Sequence, residues 1–178
     1  MYGLSRLDWI QDSNSFLRSG LLSLYDWNII FINGIIFFSD KEIKISGENT
    51  HHITVNQNYL AYKAAELMAK KYKVSSDLAI HLNKNIPVAG GMAGGSANAA
   101  GVIVGIDAIY NLGLKRDDME KVGREIGSDV PFAISGGIAI GTGKGDQITP
   151  ALSRGSYHWV LALSASGLST PAVYNECD

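Results

Sequence analysis

The sequence has little of what disulfide-stabilised or zinc-binding proteins need. It contains one cysteine, Cys177, and four histidines among 178 residues. A single cysteine cannot form a disulfide within the chain, and the histidines lack the spacing of a Cys/His zinc site. A chain without a disulfide framework is typical of reducing compartments, so we expect a cytoplasmic location.

An excess of positive charge and a long hydrophobic run are also missing. The formal net charge is -2 and the isoelectric point about 6.1, which argues against binding nucleic acid through bulk charge. The longest uncharged stretch near the N-terminus, residues 27–38, is too short to cross roughly 30 Å of hydrocarbon. No basic segment opens the chain as in a signal peptide. We therefore expect neither a nucleic-acid partner nor a membrane partner.

Glycine, by contrast, is abundant and unevenly placed. Fourteen of the 20 glycines lie between Gly90 and Gly145. Hydrophobic residues make up 46% of the chain and charged residues 18%, a balance typical of a folded domain. A glycine-rich third of such a domain indicates that the backbone closely approaches another group there.

Periodicity predicts both strands and helices. Asn33-Gly34 between two apolar runs predicts a β-hairpin, and alternation predicts strands at residues 42–46 and 78–82. Helical spacing predicts helices over 56–72 and 116–126, and a proline after a capping residue predicts a further helix start at Ser128. These elements predict an α+β fold with a mixed sheet and helices on one side.

The glycine-rich segment lies between a strand that ends near Leu82 and a helix that begins near Ser96. Backbone N–H groups at a helix N-terminus, with no side chains in front of them, form an anion site. Gly94, Gly95 and Ser96 occupy the positions where a polyphosphate would meet those donors. A flexible connector or a close helix–strand crossing is the alternative interpretation of the same residues.

Three common motifs do not fit this segment. A P-loop needs a lysine directly before the serine, and Gly95 stands there. The dinucleotide fingerprint G-x-G-x-x-G is absent. A hydrolase nucleophile elbow needs a glycine two residues after the serine, where Asn98 stands.

The run PVAGGMAGGSANAA, residues 87–100, is similar to the second motif of the GHMP kinases. Segments 58–68, 127–132, 141–145 and 167–176 also resemble this family, and the similarity extends from about residue 47 to the end. The resemblance implies a GHMP kinase N-terminal ATP-binding domain whose loop wraps the phosphates of ATP. The implied ATP-binding residues are Pro87, Val88, Ala89, Gly90, Gly91, Met92, Ala93, Gly94, Gly95, Ser96 and Ala97.

Three further residues have two interpretations each. From the residues alone, Asp129 is an ordinary helix N-cap; by resemblance it is the catalytic base that accepts a proton from the substrate hydroxyl. Ser96 caps a helix, or by resemblance holds a phosphate oxygen or magnesium. Thr170 forms a turn, or by resemblance lies near the substrate.

The resemblance implies an ATP- and Mg²⁺-dependent kinase that acts on a small molecule. Within the family, the segment around Asp129 favours the branch that phosphorylates a cytidine-diphosphate-linked sugar alcohol in isoprenoid biosynthesis. Another small-molecule kinase of the family and a non-catalytic nucleotide-binding fragment are the alternatives.

The same resemblance gives an expectation about domain organisation. Residues 1–178 correspond to one ATP-binding domain, with residues 1–22 unassigned and most of the family's second domain absent. The family's N-terminal P-x-K-x-N and G-Y-H segments do not occur here. Without that lysine and the second domain, we expect the 178-residue chain to transfer phosphate slowly.

Overall fold

A computed structural model of the chain describes residues 22–24, 29–32, 35–38, 43–47, 59–75, 78–84, 86, 91–152, 154, 158, 160 and 170–176. The first elements are four strands, β1 Leu22–Leu24, β2 Ile29–Ile32, β3 Ile35–Phe38 and β4 Ile43–Gly47. Strands β2 and β3 pair antiparallel with Ile32 opposite Ile35. The pairing confirms the hairpin that Asn33-Gly34 predicts, because a two-residue connection fixes this register.

A fifth strand, β5 Ala79–Lys84, completes the main sheet in the order β1-β2-β3-β5-β4. It pairs antiparallel with β3 and parallel with β4. The sheet is therefore mixed, as predicted. Between the two parallel strands the chain crosses over through helix α1, Leu60–Tyr72, since parallel neighbours cannot be joined by a tight turn.

Helix α1 begins later than the predicted start at residue 56. The backbone of Tyr59 is extended, with φ −71° and ψ 129°, so this residue precedes the helix; residues 56–58 lie outside the described part. The buried face of α1 carries Ala61, Ala64 and Met68. The spacing of those three positions places them on one side of an α-helix.

Three helices follow β5: α2 Gly94–Ile109, α3 Arg116–Ile126 and α4 Asp129–Ser135. Helix α2 packs against α1, α3 and α4 and also against β2 and β3. It is mostly apolar around its circumference, as a central helix must be. The described core consists of apolar side chains from α1, β5 and these three helices: Ala61, Ala64, Met68, Ile80, Leu82, Ala99, Ala100, Val102, Ile103, Val104, Ile106, Met119, Val122, Val130 and Ile134.

Helix α3 has the bounds that its periodicity predicts. Met119 and Val122 are buried, and the exposed positions are polar. The N–H of Gly127 donates to the Gly123 carbonyl at 3.0 Å and closes the helix. The strength of the amphipathic pattern explains why both ends were predictable.

A separate two-stranded sheet follows α4. Strand β6, Ala139–Thr142, pairs antiparallel with β7, Gln147–Pro150. Gly143 and Gly145, with φ of 67° and 81°, form the turn between them, because glycine adopts left-handed backbone without a steric cost. The last described element is the short helix α5, Thr170–Asn175.

The fold class agrees with the prediction of an α+β chain with a mixed sheet. In the part of the chain that the structure describes, none of the helices combines the length and the apolar composition needed to cross a bilayer.

Candidate functional site

Helix α2 begins at the glycine-rich segment and leaves three backbone donors unused by the helix. Ala93 is its N-cap, and the N–H of Ala97 donates to the Ala93 carbonyl at 2.9 Å. The N–H groups of Gly94, Gly95 and Ser96 precede that first bond, so the helix supplies no acceptor for them. Three adjacent donors at the positive end of a 16-residue helix make a site for an anion.

The residues just before these donors have left-handed backbone. Gly91 has φ +68° and Ala93 has φ +49° and ψ 27°. Left-handed backbone is uncommon for alanine, because its Cβ crowds the neighbouring carbonyl. Ala93 is therefore held in a strained conformation at the point where the chain turns into α2, and the strain places the helix start at Gly94.

This early start corrects the prediction for Ser96 as a capping residue. The helix begins two residues before the predicted position, so Ser96 is its third residue. No side-chain capping bond forms at the N-terminus, and Ser96 is only 8% exposed. Its backbone N–H is one of the three donors at the open end of the helix.

Gly94 lies where the end of β5 meets the helix. A Cβ on Gly94 would stand 3.0 Å from Cγ2 of Ile86 and 3.6 Å from Nζ of Lys84. The first distance is tighter than most Cβ contacts in proteins, so a larger residue here would have to displace Ile86 by a few tenths of an ångström. At Gly95, by contrast, a Cβ would meet only Cδ1 of Leu60, at the ordinary distance of 3.5 Å.

Lys84 is a functional candidate that the sequence reasoning missed. Its side chain is 7% exposed, and no hydrogen bond or ion pair joins its Nζ to another residue in the described ranges. Burial lowers the pKa of this lysine below its usual 10.5 because the charged form is poorly solvated. An ammonium group beside the open end of α2 adds positive charge where an anion would lie.

A signal for Lys84 exists in the sequence. Ile80 and Leu82 are fully buried on β5, and the period of two places Lys84 on the same inward face. A charged residue at an inward position, directly before a glycine-rich segment, is an exception to ordinary strand patterning. Burial of charge is costly unless it is compensated, so the exception itself points to a function.

Asp129 is the first residue of α4 and is exposed. Ser128 occupies the N-cap position, and no side chain caps the helix. The interpretation of Asp129 as an ordinary N-cap is therefore wrong, because the helix begins at this residue and not after it. Its role as a catalytic base stays a prediction.

Helix α4, which carries Asp129, packs against α2, which carries the three donors. Val130 and Ile134 of α4 belong to the same core as Ile103 of α2. The two predicted site segments are thus on helices in direct contact. Gly136 and Gly137 follow α4 with φ of 68° and 69° and redirect the chain towards β6.

Several predicted site residues have no described geometry. Pro87, Val88, Ala89 and Gly90 lie outside the described residues, and so does the side chain of Thr170, whose backbone begins α5. Gly91, Met92 and Ala93 lead into α2, and Ala97 makes its first helical bond. The binding roles of all these residues stay predictions.

The donor set suits a phosphate better than a metal bound by protein alone. Among the residues with described positions, no group of three His, Cys, Asp or Glu side chains could hold a metal ion. Mg²⁺ in nucleotide sites needs only one or two carboxylates, since phosphates and water supply the other ligands. The site therefore fits a phosphate group held by backbone donors.

Comparisons with known proteins show which proteins this chain is similar to. Residues 59–137 match the family described as "GHMP kinases N terminal domain". The chain is 48% identical over 136 residues to a 4-diphosphocytidyl-2-C-methyl-D-erythritol kinase of Mycobacterium marinum, covering 76% of this chain and 42% of that protein. A protein of the same name from Mycobacterium leprae is 48% identical over 132 residues, covering 74% of this chain and 41% of that protein.

A solved structure is also similar. The crystal structure of a 4-(cytidine 5'-diphospho)-2C-methyl-D-erythritol kinase aligns with a TM-score of 0.53 and 25% identity. The alignment covers 82% of this chain and 53% of that one. The chain thus shares that fold, and it spans about two fifths of the length of the curated relatives named above.

Proposed function

We propose, from the match of residues 59–137 to the GHMP kinases N-terminal domain, that this chain contributes the ATP site of a small-molecule kinase. The reaction would move the γ-phosphoryl group of ATP to the 2-hydroxyl of 4-diphosphocytidyl-2-C-methyl-D-erythritol. The substrate is inferred from the names of the relatives that are 48% identical. Such a reaction uses a nucleotide and a sugar alcohol, in keeping with the expected cytoplasmic location.

One observation carries the proposal: the N–H groups of Gly94, Gly95 and Ser96 lie unused by the helix at the start of α2. Phosphoryl transfer depends mainly on positioning and on neutralising the charge of the phosphates. The three N–H groups donate to phosphate oxygens in this proposal, and the helix dipole favours their negative charge. Lys84 supplies a full positive charge beside them.

Asp129 is the proposed base. Its exposed position at the start of α4 leaves the carboxylate open to a substrate. The substrate oxygen bonds to the γ-phosphorus while the bond from phosphorus to the β–γ bridging oxygen breaks, and the hydroxyl proton passes to Asp129. A carboxylate needs to lie within hydrogen-bond reach of that hydroxyl to do so.

Magnesium and the substrate have less defined contacts. Ser96 would hold either a phosphate oxygen or Mg²⁺, and a magnesium ion bound with ATP would offset the charge of the phosphates. Thr170 contributes to the substrate side. Each of these assignments follows the family resemblance of the surrounding residues.

The test is transfer of label from [γ-³²P]ATP to the diphosphocytidyl substrate, with enzyme in excess so that a slow single turnover is visible. Asp129→Asn should lower the rate constant on the order of a hundredfold, with little change in ATP affinity measured by calorimetry. Equal rates in the two proteins would contradict the base assignment. Label transfer to a different alcohol would favour another GHMP kinase reaction, and ATP binding without transfer would favour a nucleotide-binding fragment.

A further inference from the structure

Helices α3 and α4 approach each other closely at Gly123. A Cβ on this glycine would stand 3.0 Å from Cγ1 of Val130, 3.2 Å from Cδ1 of Ile134 and 3.3 Å from the backbone nitrogen of Pro131. All three distances are tighter than ordinary contacts of a Cβ, and one of them involves backbone, which cannot rotate away. The two helices can be this close because residue 123 has no side chain.

The contact lies beside the start of α4. Val130 and Pro131 directly follow Asp129, and both are buried. A displacement of these two residues therefore moves the backbone of Asp129 with them. Helix α4 has only seven residues, so it has little length over which to absorb such a shift.

The opposite end of α4 is also held by α3. Glu120 is 7% exposed, and burial raises the pKa of its carboxyl, whereas the neighbouring side chain of Ser135, the last residue of α4, acts in the opposite direction. Arg124 lies 3.9 Å from the same carboxylate, from its Nη2 to Oε2 of Glu120. With one end fixed by this polar contact, a wedge at Gly123 would tilt the end that carries Asp129.

We propose that Gly123 is a positioning residue for phosphoryl transfer: its lack of a side chain sets the spacing of α3 and α4 and thereby the place of the Asp129 carboxylate. The inference rests on the proposed function, in which Asp129 is the base. Misplacement of a catalytic group by about 1 Å can cost on the order of a hundredfold in rate. A shift of a few tenths of an ångström should therefore lower the rate several-fold.

The experiment compares Gly123→Ala and Gly123→Val with a control on the same helix, Lys121→Ala. Lys121 is exposed and its side chain pairs with Asp118, so its removal leaves the contact between α3 and α4 unchanged. We expect single-turnover rate constants about fivefold lower for the alanine variant and lower again for the valine variant. The affinity for ATP should stay within twofold in all three, and the control should keep the original rate.

The outcomes separate this inference from the function on which it rests. Loss of transfer in Asp129→Asn with an unchanged rate in both Gly123 variants overturns the positioning role alone. An unchanged rate in Asp129→Asn contradicts the assignment of Asp129 as the base, the part of the proposed function on which this inference rests. Crystal structures provide a readout independent of activity: displacement of Asp129 in Gly123→Ala but not in Lys121→Ala supports the spacing argument, and an unmoved Asp129 overturns it.

Discussion

Asn98 donates a hydrogen bond from its Nδ2 to the Oη of Tyr59, at 3.2 Å. The bond joins α2 to the residue that precedes α1, close to the three donors at the start of α2. Both side chains are partly buried, and burial raises the pKa of the Tyr59 phenol above 10.0. The pair therefore ties the two helices together where the glycine-rich segment enters the domain.

Replacing Tyr59 with phenylalanine tests that connection. The change leaves the Asn98 amide partly buried without its acceptor, which should lower the free energy of unfolding by about 1 kcal/mol. The control is Tyr72→Phe, at the other end of α1, because no residue within the described ranges bonds the Tyr72 hydroxyl. Urea denaturation measures the free energy of unfolding of both variants. Equal losses would mean that the hydrogen bond of the Tyr59 hydroxyl does not stabilise the fold.

Gly94→Ala should weaken ATP binding. The new Cβ would stand 3.0 Å from Cγ2 and 3.2 Å from Cβ of Ile86, so the strand end and the helix start must move apart. Loss of one well-placed bond to a charged phosphate corresponds to an affinity about tenfold lower. Isothermal titration with ATP measures the effect.

The same contact supplies the control for Gly94→Ala. Ile86→Ala removes Cγ2 and makes room for the added methyl group, so the double variant should recover part of the lost affinity. An affinity that is equally low with or without Ile86→Ala would mean that the Ile86 contact is not the cause.

Ala93→Gly should stabilise the fold. Left-handed backbone costs a residue with a Cβ roughly 1–2 kcal/mol, and glycine avoids most of that cost while losing more freedom on folding. We expect a net gain of up to about 1 kcal/mol. Ala97→Gly, inside α2 with ordinary helical backbone, should instead lose about 1 kcal/mol. Urea denaturation measures the free energy of unfolding. A gain for Ala93→Gly with a loss for Ala97→Gly supports the strain at Ala93, and a loss in both variants contradicts it.

Lys84 should make stability rise with pH. Burial lowers its pKa in the folded chain, whereas the unfolded chain keeps a value near 10.5. Between the folded value and 10.5 the unfolded state binds more protons, so the free energy of unfolding increases as pH rises through that window. Lys84→Met removes this contribution.

The measurement is the difference in unfolding free energy between the original chain and Lys84→Met, followed from pH 8 upwards. Other groups, including Tyr59, titrate in both proteins and cancel. We expect the difference to shift in favour of the original chain with rising pH. A flat difference would mean that the Lys84 ammonium is solvated in the folded state.

Patterns that depend on local chemistry were predictable from the sequence. The hairpin at Asn33-Gly34 follows from a two-residue turn signal. Both ends of α3 follow from the helical spacing of its buried and polar positions. The presence of donors at Gly94, Gly95 and Ser96 was also predictable, because a strand, a glycine-rich segment and a helix follow one another.

Features that depend on tertiary packing were not predictable. The start of α2 is set by the left-handed backbone of Ala93, a conformation that alanine propensity argues against. Helix α4 begins at Asp129, one residue earlier than an N-cap at Asp129 would place it, and it packs on α3. The closeness of Gly123 to Val130 is visible only once two helices are docked.

The parallel pairing of β4 with β5 has a consequence for the order of folding. Ile43 pairs with Ile80, 37 positions later in the chain, so this contact closes a long loop that includes all of α1. The entropy of that closure is lost before the pairing is formed. Helix α3, by contrast, forms through hydrogen bonds between residues that are close in the sequence, so no long loop has to close first. In a pulse-labelling refolding experiment, we therefore expect the amides of β4 to become protected from exchange after those of α3.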